Sequence, residues 1–592
     1  MSPAEPGLSG PVDSRRQTGA GFLLVEPGAA LDVRVPAGQR DAAAAAWRRH
    51  ARALCDGLGW ADAPLVVRPF PRGLSLALGS PVDRLYTATE VNEAAWAAAR
   101  AELAGDAAPD REATLARLRA ESDGEADAPL AALIAAAEAR GVPLVWDDDA
   151  ITVGLGAGGQ TFAPDALPAP DALDWSAVSP IPTALVTGTN GKSTTVRLLA
   201  GMADAAGHTT GVSTTDYVAV GGEIVERGDF SGPLGARAVM RDDRVTLAVC
   251  ETARGGLLRR GVPVPIVAAA AVTNVASDHL GDYGVETVES LAEAKFVVAK
   301  ALREGGTLVA PADEPAATAE AARQREALGA RGVRLAWTAL DPATEVPGGG
   351  PLAATVVDGA LALREGDGWR AVCPVAEIPA ALDGAARHVV RNALTAAALA
   401  HALGLADDAI AAGLRAFRSD ADDNPGRANR FPVNGGTVVI DYAHNAHGLR
   451  ALTDLAAHWD ARRRLVMYGS AGDRSDADLA AMCDVLAALD ADRYLLVETP
   501  GYLRGRAEGE VPAQLARLLR QRGVADDALV FLPDPHAGAA HAVEWVGPGD
   551  LALLVVLSQR AEVLARVHEA AEAARPAEEP EDQAAGRSAA TA

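Results

Sequence analysis

The sequence predicts an α/β protein: a central domain carrying a phosphate loop, a Rossmann-like C-terminal domain, and a small α+β domain ahead of them. Three observations predict it. From Thr183 onward, short β-branched strands alternate with Ala/Leu-rich helices, as in "TALVTGT", "VTLAVCET", "IVAAAAVTNV" and "GTLVAPA". That alternation argues for a mainly parallel sheet covered by helices. A second run of the same kind follows from about residue 421, with strands expected at "TVVIDYA", "RLVMYGS", "RYLLVET", "ALVFLPD" and "LALLVVL". Before Thr183 the strand and helix signals mix without that rhythm.

The elements follow in order. Residues 1–20 are Gly/Pro-rich and polar and are expected to be a disordered lead. Residues 21–160 form the α+β domain. There "FLLVEPGAALDVRVP" suggests strand, turn, strand, "AAAAAWRRHARALCDGLGW" a helix with a glycine stop, and "PLVVRPF" and "LSLALGS" short strands. Residues 106–140 read as helical with a junction near "ESDGEADAP". The Pro/Asp-rich stretch 161–180 is expected to be a linker. The central domain spans 181–420 and closes with helices between Ala381 and Phe417; the C-terminal domain spans 421–570. Residues 571–592 are expected to be a disordered tail.

Composition narrows the function. The chain has 592 residues, enough for about three or four domains. Its 54 basic and 79 acidic side chains give a net charge of −25, which would repel a nucleic-acid backbone or an anionic lipid surface. The four cysteines form no CxxC pair, so neither a zinc site nor a disulfide framework is expected. The N-terminus lacks the pattern of a secretory signal, and the apolar run from Val262 to Val275 is interrupted by prolines and too short to span a bilayer. A cytoplasmic protein is the expectation.

The strongest chemical signal is "ALVTGTNGKSTTVRLLAGM". A strand ends at Thr187, and Gly188, Thr189, Asn190, Gly191, Lys192 and Ser193 lead into an amphipathic helix. Glycines let the backbone curl around phosphates with its N–H groups inward. The helix start adds positive potential, Lys192 pairs with the outer phosphates, and a hydroxyl of Ser193 or Thr194 can hold Mg²⁺. The first glycine falls at 188, outside the strict eight-residue spacing. A bare Gly-Lys-Ser also occurs in surface turns, and the strand–turn–helix context separates the two readings.

Other candidates sit where apolar strands end. Glu251 closes "VTLAVCE" at the ligand edge of a parallel sheet, as a magnesium ligand or a capping carboxylate. Asp278 and His279 follow another strand, and His279 is a metal ligand, a general base or a satisfied loop histidine. Lys295 lies in a helix farther on, and its local spacing gives it no role. Arg427 follows a Pro-Gly turn, and Asp441, Tyr442, His444 and Asn445 crowd one strand end. Asp473, Arg474, Arg504 and Arg506 again follow strands. Arginines there suit carboxylate or phosphate recognition, or serve as solvated loop charges.

Together these runs resemble the Mur ligase superfamily, in particular its cyanophycin-synthetase branch. The resemblance rests on "TGTNGKSTT", "STTDYV", "GDFSGPLGARAVM", "ETARGGLLRRG", "TNVASDHLG", "NPGRANRF", "IDYAHNAHG", "GSAGDRSD" and "LRGRAEGE" in that order, over roughly Pro180 to Val567. It implies an ATP-dependent, ADP-forming ligase that activates a carboxylate as an acyl phosphate and joins it to an amino-acid amine, with arginine onto an aspartate-containing acceptor as the pair. It implies ATP and Mg²⁺ as cofactors, with Gly188 to Thr194, Asn392, Arg427 and Asp441 around the nucleotide. Ser193, Glu251, His279 and a carbamylated Lys295 would surround the metal. Arg254, His444, Asn445, Asp473, Arg474, Arg504 and Arg506 are the substrate candidates. Val389 stands where the family commonly has an Asn. The ATP-grasp domain of that branch is expected to be missing, so the chain alone should not polymerise aspartate. Two alternatives stay open: a non-catalytic nucleotide-binding partner of a separate ATP-grasp enzyme, and a glutamate ligase of the folylpolyglutamate-synthase type. The expected partners are a small carboxylate or peptide and an amino acid, with self-association left open.

Overall fold

The computed structural model describes residues 8–421 and 423–573. The chain divides into two compact units, Met1–Arg418 and Ser419–Ala592.

The first unit opens with an antiparallel sheet in the order Pro11–Gln17, Gly28–Arg34, Gly73–Gly79, Leu65–Phe70. The helices Arg40–Gly57 and Leu85–Ala104 bury Trp47 and Trp96 against it. Trp47 Nε1 donates to Asn92 Oδ1 at 2.9 Å, and Asn92 donates onward to the Leu76 carbonyl at 3.0 Å, so the buried indole and amide are both satisfied. The expected disordered lead is corrected here, because residues 11–17 are a strand paired with 28–34. Its inward residues are polar: Arg15 lies between Asp13 and Asp32, and Gln17 donates to the carbonyls of Leu24 and Glu26, both at 3.1 Å. A hydrophobic pattern therefore could not reveal it. The expected first strand at 22–26 is irregular chain, and the strand begins at Gly28. Residues 1–7 of the lead, and the expected tail beyond Ala573, lie outside the described residues.

The helices Arg111–Glu125 and Ala128–Glu138 are capped by Asp110 and Asp127, whose carboxylates accept first-turn N–H groups. A small antiparallel sheet follows: Leu144–Trp146, Ile151–Val153 and Gln160–Phe162. The expected linker 161–180 is packed rather than loose. Leu173 and Val178 are buried with Leu130 and Leu133, and Trp175 Nε1 donates to the Pro170 carbonyl at 2.7 Å. Its prolines and aspartates mark turns, and its spaced apolar residues anchor them.

The large sheet of this unit runs Glu223–Arg227, Tyr217–Val220, Thr210–Ser213, Leu247–Glu251, Thr183–Thr187, Val267–Val272, Leu302–Pro311, Arg334–Thr338, Leu352–Val357, Ala360–Glu365, Gly368–Pro374. Its middle is parallel, and antiparallel hairpins finish both edges. The strand Thr183–Thr187 lies between Leu247–Glu251 and Val267–Val272. Three C-terminal strand ends thus converge, which is the ligand edge of such a sheet. The helices Lys192–Ala205, Arg387–Ala402 and Asp407–Ala416 bury their apolar faces in this region.

The second unit is a sheet in the order Asn429–Val433, Gly436–Asp441, Asp550–Val555, Arg463–Tyr468, Arg493–Val497, Leu529–Leu532, parallel except for its first hairpin. Helices Ala446–Ala456, Asp476–Ala488, Glu510–Arg520, Pro535–Trp545 and Arg560–Ala573 cover two buried cores. The four cysteines are buried thiols. No helix among the described residues is long and apolar enough to cross a membrane.

Candidate functional site

The glycine loop is shaped by backbone demands that only glycine meets. Gly188 has φ 151°, and a Cβ there would sit 1.9 Å from Thr273 Oγ1. Gly191 caps the helix Lys192–Ala205 at φ 83°, where a Cβ would sit 2.3 Å from Asn392 Oδ1. The chain after Val267–Val272 pins the loop from outside. Thr189 N donates to the Asn274 carbonyl at 2.9 Å, Asn190 N to Asn274 Oδ1 at 3.0 Å, and Thr273 Oγ1 to the Asn190 carbonyl at 2.6 Å. The loop is therefore held in place by its own protein, with a helix start behind it, the arrangement that receives an anion. Lys192 Nζ donates to the Thr189 carbonyl at 3.1 Å, folding over the loop it follows.

Glu251 is buried and meets this loop. Its Oε2 accepts from Ser193 Oγ at 2.7 Å and from Thr215 N at 3.2 Å, and its Oε1 accepts from Thr215 Oγ1 at 2.7 Å. Thr194 is buried in the same first helical turn. A carboxylate and hydroxyls are hard oxygen donors, so this set fits a divalent cation such as Mg²⁺. Lys295, at the end of the helix Val288–Lys295, is buried and donates to the Gly188 carbonyl at 2.8 Å. Burial, with the charge of Lys192 adding to it, holds its amine well below the usual lysine value, against a smaller opposite pull from Asp278.

The loop that pins Thr189 and Asn190 runs on to Asp278 and His279. Asp278 is nearly buried. His279 is exposed at φ 49°, its Nε2 3.8 Å from Asp278 Oδ1. Arg254 opens the helix Arg254–Arg260 and pairs with Asp282 at 3.1 Å. Asn392 is buried beside Gly191, and Val389 on the same helix is buried in the core, where an apolar residue packs.

In the second unit, Asp441 Oδ2 accepts from Ala428 N at 2.8 Å. Burial raises its carboxyl above the usual range, and Arg427 opposes the rise. The Arg427 guanidinium lies 4.6 Å over the Tyr442 ring, and the Tyr442 and His444 rings are 5.2 Å apart. Asn445 caps Ala446–Ala456, accepting from Gly448 N at 2.9 Å. Asp473, Arg474, Arg504 and Arg506 form one cluster. Arg504 pairs with Asp473, and Arg506 donates to the carbonyls of Gly472 at 2.8 Å and Arg474 at 3.1 Å. Arg506 also pairs with Asp476 at 3.2 Å, so it meets both backbone and side chains of this cluster.

Two Mur ligase models match the chain: the Mur ligase middle domain over residues 186–400, and the Mur ligase glutamate ligase domain over 426–556. A UDP-N-acetylmuramate--L-alanine ligase of Kineococcus radiotolerans is 30% identical over 388 residues, covering 62% of this chain and 70% of that one. The chain belongs to the Mur ligase family. A cyanophycin synthetase of Trichormus variabilis is 35% identical over 346 residues, covering 58% of this Mur ligase chain and 37% of that protein. The chain therefore spans little more than a third of the length of that relative. Among solved structures, E. coli FolC in complex with DHPP and ADP matches at TM-score 0.48 and 21% identity, over 66% of this chain and 89% of that one.

For this member of the Mur ligase family, reading the sequence missed Thr215, Thr273 and Asn274, which hold Glu251 and the loop, and Glu498, a buried strand-end carboxylate that accepts from Gly509 N at 2.6 Å. Thr273 and Asn274 directly follow an apolar strand, which was the available signal. Thr215 lies in the quoted "STTDYV" run, but its partner is 36 residues away.

Proposed function

We propose that this chain is an ATP-dependent, ADP-forming amide ligase. The observation that carries the reading is the convergence of Lys192, Ser193, Glu251 and Lys295 on one glycine loop at a parallel sheet edge. A substrate carboxylate oxygen attacks the γ-phosphorus of ATP, the bond to the β-phosphate bridging oxygen breaks, and ADP leaves. The acyl phosphate is then attacked by an amine nitrogen, which loses a proton as inorganic phosphate departs. Lys192 and the N–H groups at the start of the helix Lys192–Ala205 offset charge on the phosphate oxygens throughout. Ser193 and Glu251 are the residues to hold Mg²⁺, with His279 beside them in the reading. A bound Mg²⁺ supplies further charge neutralisation. Asn392, Arg427 and Asp441 serve the nucleotide, and Arg254, His444, Asn445, Asp473, Arg474, Arg504 and Arg506 the substrates.

Lys295 is assigned as the lysine that takes up CO₂ as a carbamate. Its burial favours the neutral amine, the form able to add CO₂. A ¹³C carbamate resonance after labelled bicarbonate, absent in Lys295→Ala, is the expected result.

The acceptor is an aspartate-containing acid or peptide, and the amine donor is arginine. That pair is supported by the relatedness to cyanophycin synthetase. Phosphate release is to be measured with aspartyl acceptors against arginine, glutamate and other amines. Lys192→Ala should lower it by a factor of about a hundred or more, the scale of losing one transition-state charge partner. Unchanged turnover in Lys192→Ala would remove the loop from the reaction, and preference for glutamate would replace the donor.

A further inference from the structure

Among the described residues Glu251 accepts three hydrogen bonds, and their arrangement is unequal. Ser193 Oγ supplies one at 2.7 Å, while Thr215 supplies two, through its amide at 3.2 Å and its hydroxyl at 2.7 Å. A serine hydroxyl that ligates a cation does so through an oxygen lone pair, so Ser193 has to serve the ion and Glu251 together. Thr215 is the partner that orients the carboxylate from outside the cation-ligand set.

Thr215 is not in a strand. It lies in the turn between Thr210–Ser213 and Tyr217–Val220, just past the ladder that sets Ser213 opposite Cys250. The sheet register brings the turn beside Glu251 but does not fix its side chains. What ties the turn down is Arg197, a buried arginine one turn farther along the same helix that carries Ser193. Its Nη2 donates to Asp216 Oδ2 at 2.5 Å and its Nε to the Tyr217 hydroxyl at 3.2 Å, with the guanidinium 5.2 Å from the Tyr217 ring centre. Thr214 completes the turn, its Oγ1 accepting from the amides of Asp216 and Tyr217, both at 3.2 Å. The helix thus reaches Glu251 twice: directly through Ser193, and through Arg197, Asp216 and Thr215.

We infer that Arg197 and Asp216 are positioning residues for the cation-binding carboxylate Glu251, acting through Thr215. The inference rests on the ligase reading only in taking Glu251 as a cation ligand. An ion pair this buried is a costly way to stabilise a turn, since an apolar pair of the same volume often does as well. Its geometric specificity is what the Glu251 site uses. Partners that orient a metal ligand typically change metal affinity by about 10–100-fold when replaced.

The test measures Mn²⁺ binding in the presence of ADP by electron paramagnetic resonance, without turnover, beside metal-free ADP binding by calorimetry. Arg197→Lys, Asp216→Asn and Thr215→Val should each weaken Mn²⁺ about tenfold or more, while metal-free ADP affinity stays within about twofold. Arg197→Lys combined with Thr215→Val should be no worse than the weaker-binding single variant, because the two act through one path. Melting temperatures separate misfolding from the effect: a variant that loses metal-free ADP binding as well is read through Asp216→Asn, the smallest change. Wild-type Mn²⁺ affinity in all three variants, or fully additive losses in the double variant, would overturn the inference. A wild-type protein that binds no Mn²⁺ with ADP would instead overturn the cation role of Glu251 itself.

Discussion

Gly191 has little freedom to change. Its φ of 83° already disfavours any side chain, and a methyl would strike the Asn392 amide oxygen. Gly191→Ala is expected to cost about 1–2 kcal/mol in backbone strain alone and to weaken ADP binding about tenfold or more, read by calorimetry. Unaltered ADP affinity would mean that the loop relaxes at no cost. Gly188 faces Thr273 in the same way, so the loop and the chain after Val267–Val272 have to change together. Lys295 shows the opposite case. Nothing in its local sequence distinguishes it from a solvated helix lysine, yet it is buried with its amine on the Gly188 carbonyl. Only the family resemblance singled it out, because burial of a helix face depends on what packs against it.

Among the elements, the strand Asp550–Val555 shows how a buried charge anchors a sheet. Asp550 begins the strand with its side chain fully covered, hydrogen-bonded to Arg463 and Arg462 and accepting from Gly547 N at 3.0 Å. The Arg463 hydrogen bond is the main reason its carboxyl is held below the usual range. The folded protein therefore binds this proton less readily than the unfolded chain. The stabilisation is fully present above the unfolded aspartate value of about 4, and is lost as pH falls through the lower folded value. Asp550→Asn should lower the urea midpoint at pH 7, and its deficit relative to the wild type should shrink on acidification to about pH 3. A constant deficit at both pH values would assign the effect to packing rather than charge. The same scale explains the strand Pro11–Gln17: its inward face is Arg15 and Gln17, so pairing and ion pairs rather than apolar alternation make it a strand.

At the scale of the whole molecule, Arg15 joins separate parts of the first unit. It pairs with Asp13 and Asp32, lies 5.0 Å from the Tyr283 ring centre, and donates to the Leu258 carbonyl at 2.9 Å, linking the N-terminal sheet to the helix Arg254–Arg260. Arg15→Ala leaves the buried Asp32 without its countercharge and should cost about 3–5 kcal/mol. Hydrogen exchange should then rise in both Gly28–Arg34 and Arg254–Arg260, but not in Asp550–Val555. Exchange rising only in the first of these would show that the N-terminal sheet holds no grip on that helix.

The sequence by itself determined the α/β class, the parallel strands from Thr183 onward, the glycine loop and the strand-end positions of Glu251 and Asp441. Each of these is written in short-range pattern: apolar runs of strand length, glycines at a strand–helix junction, acids where apolar runs stop. Tertiary structure alone decided that Thr215 holds Glu251, that Asn274 locks the loop, that Arg506 meets both backbone and side chains of its cluster, and that residues 11–17 and 161–178 are built into the fold. Those outcomes depend on partners far away in the chain, and polar side chains that satisfy one another across such separations leave no periodicity to read.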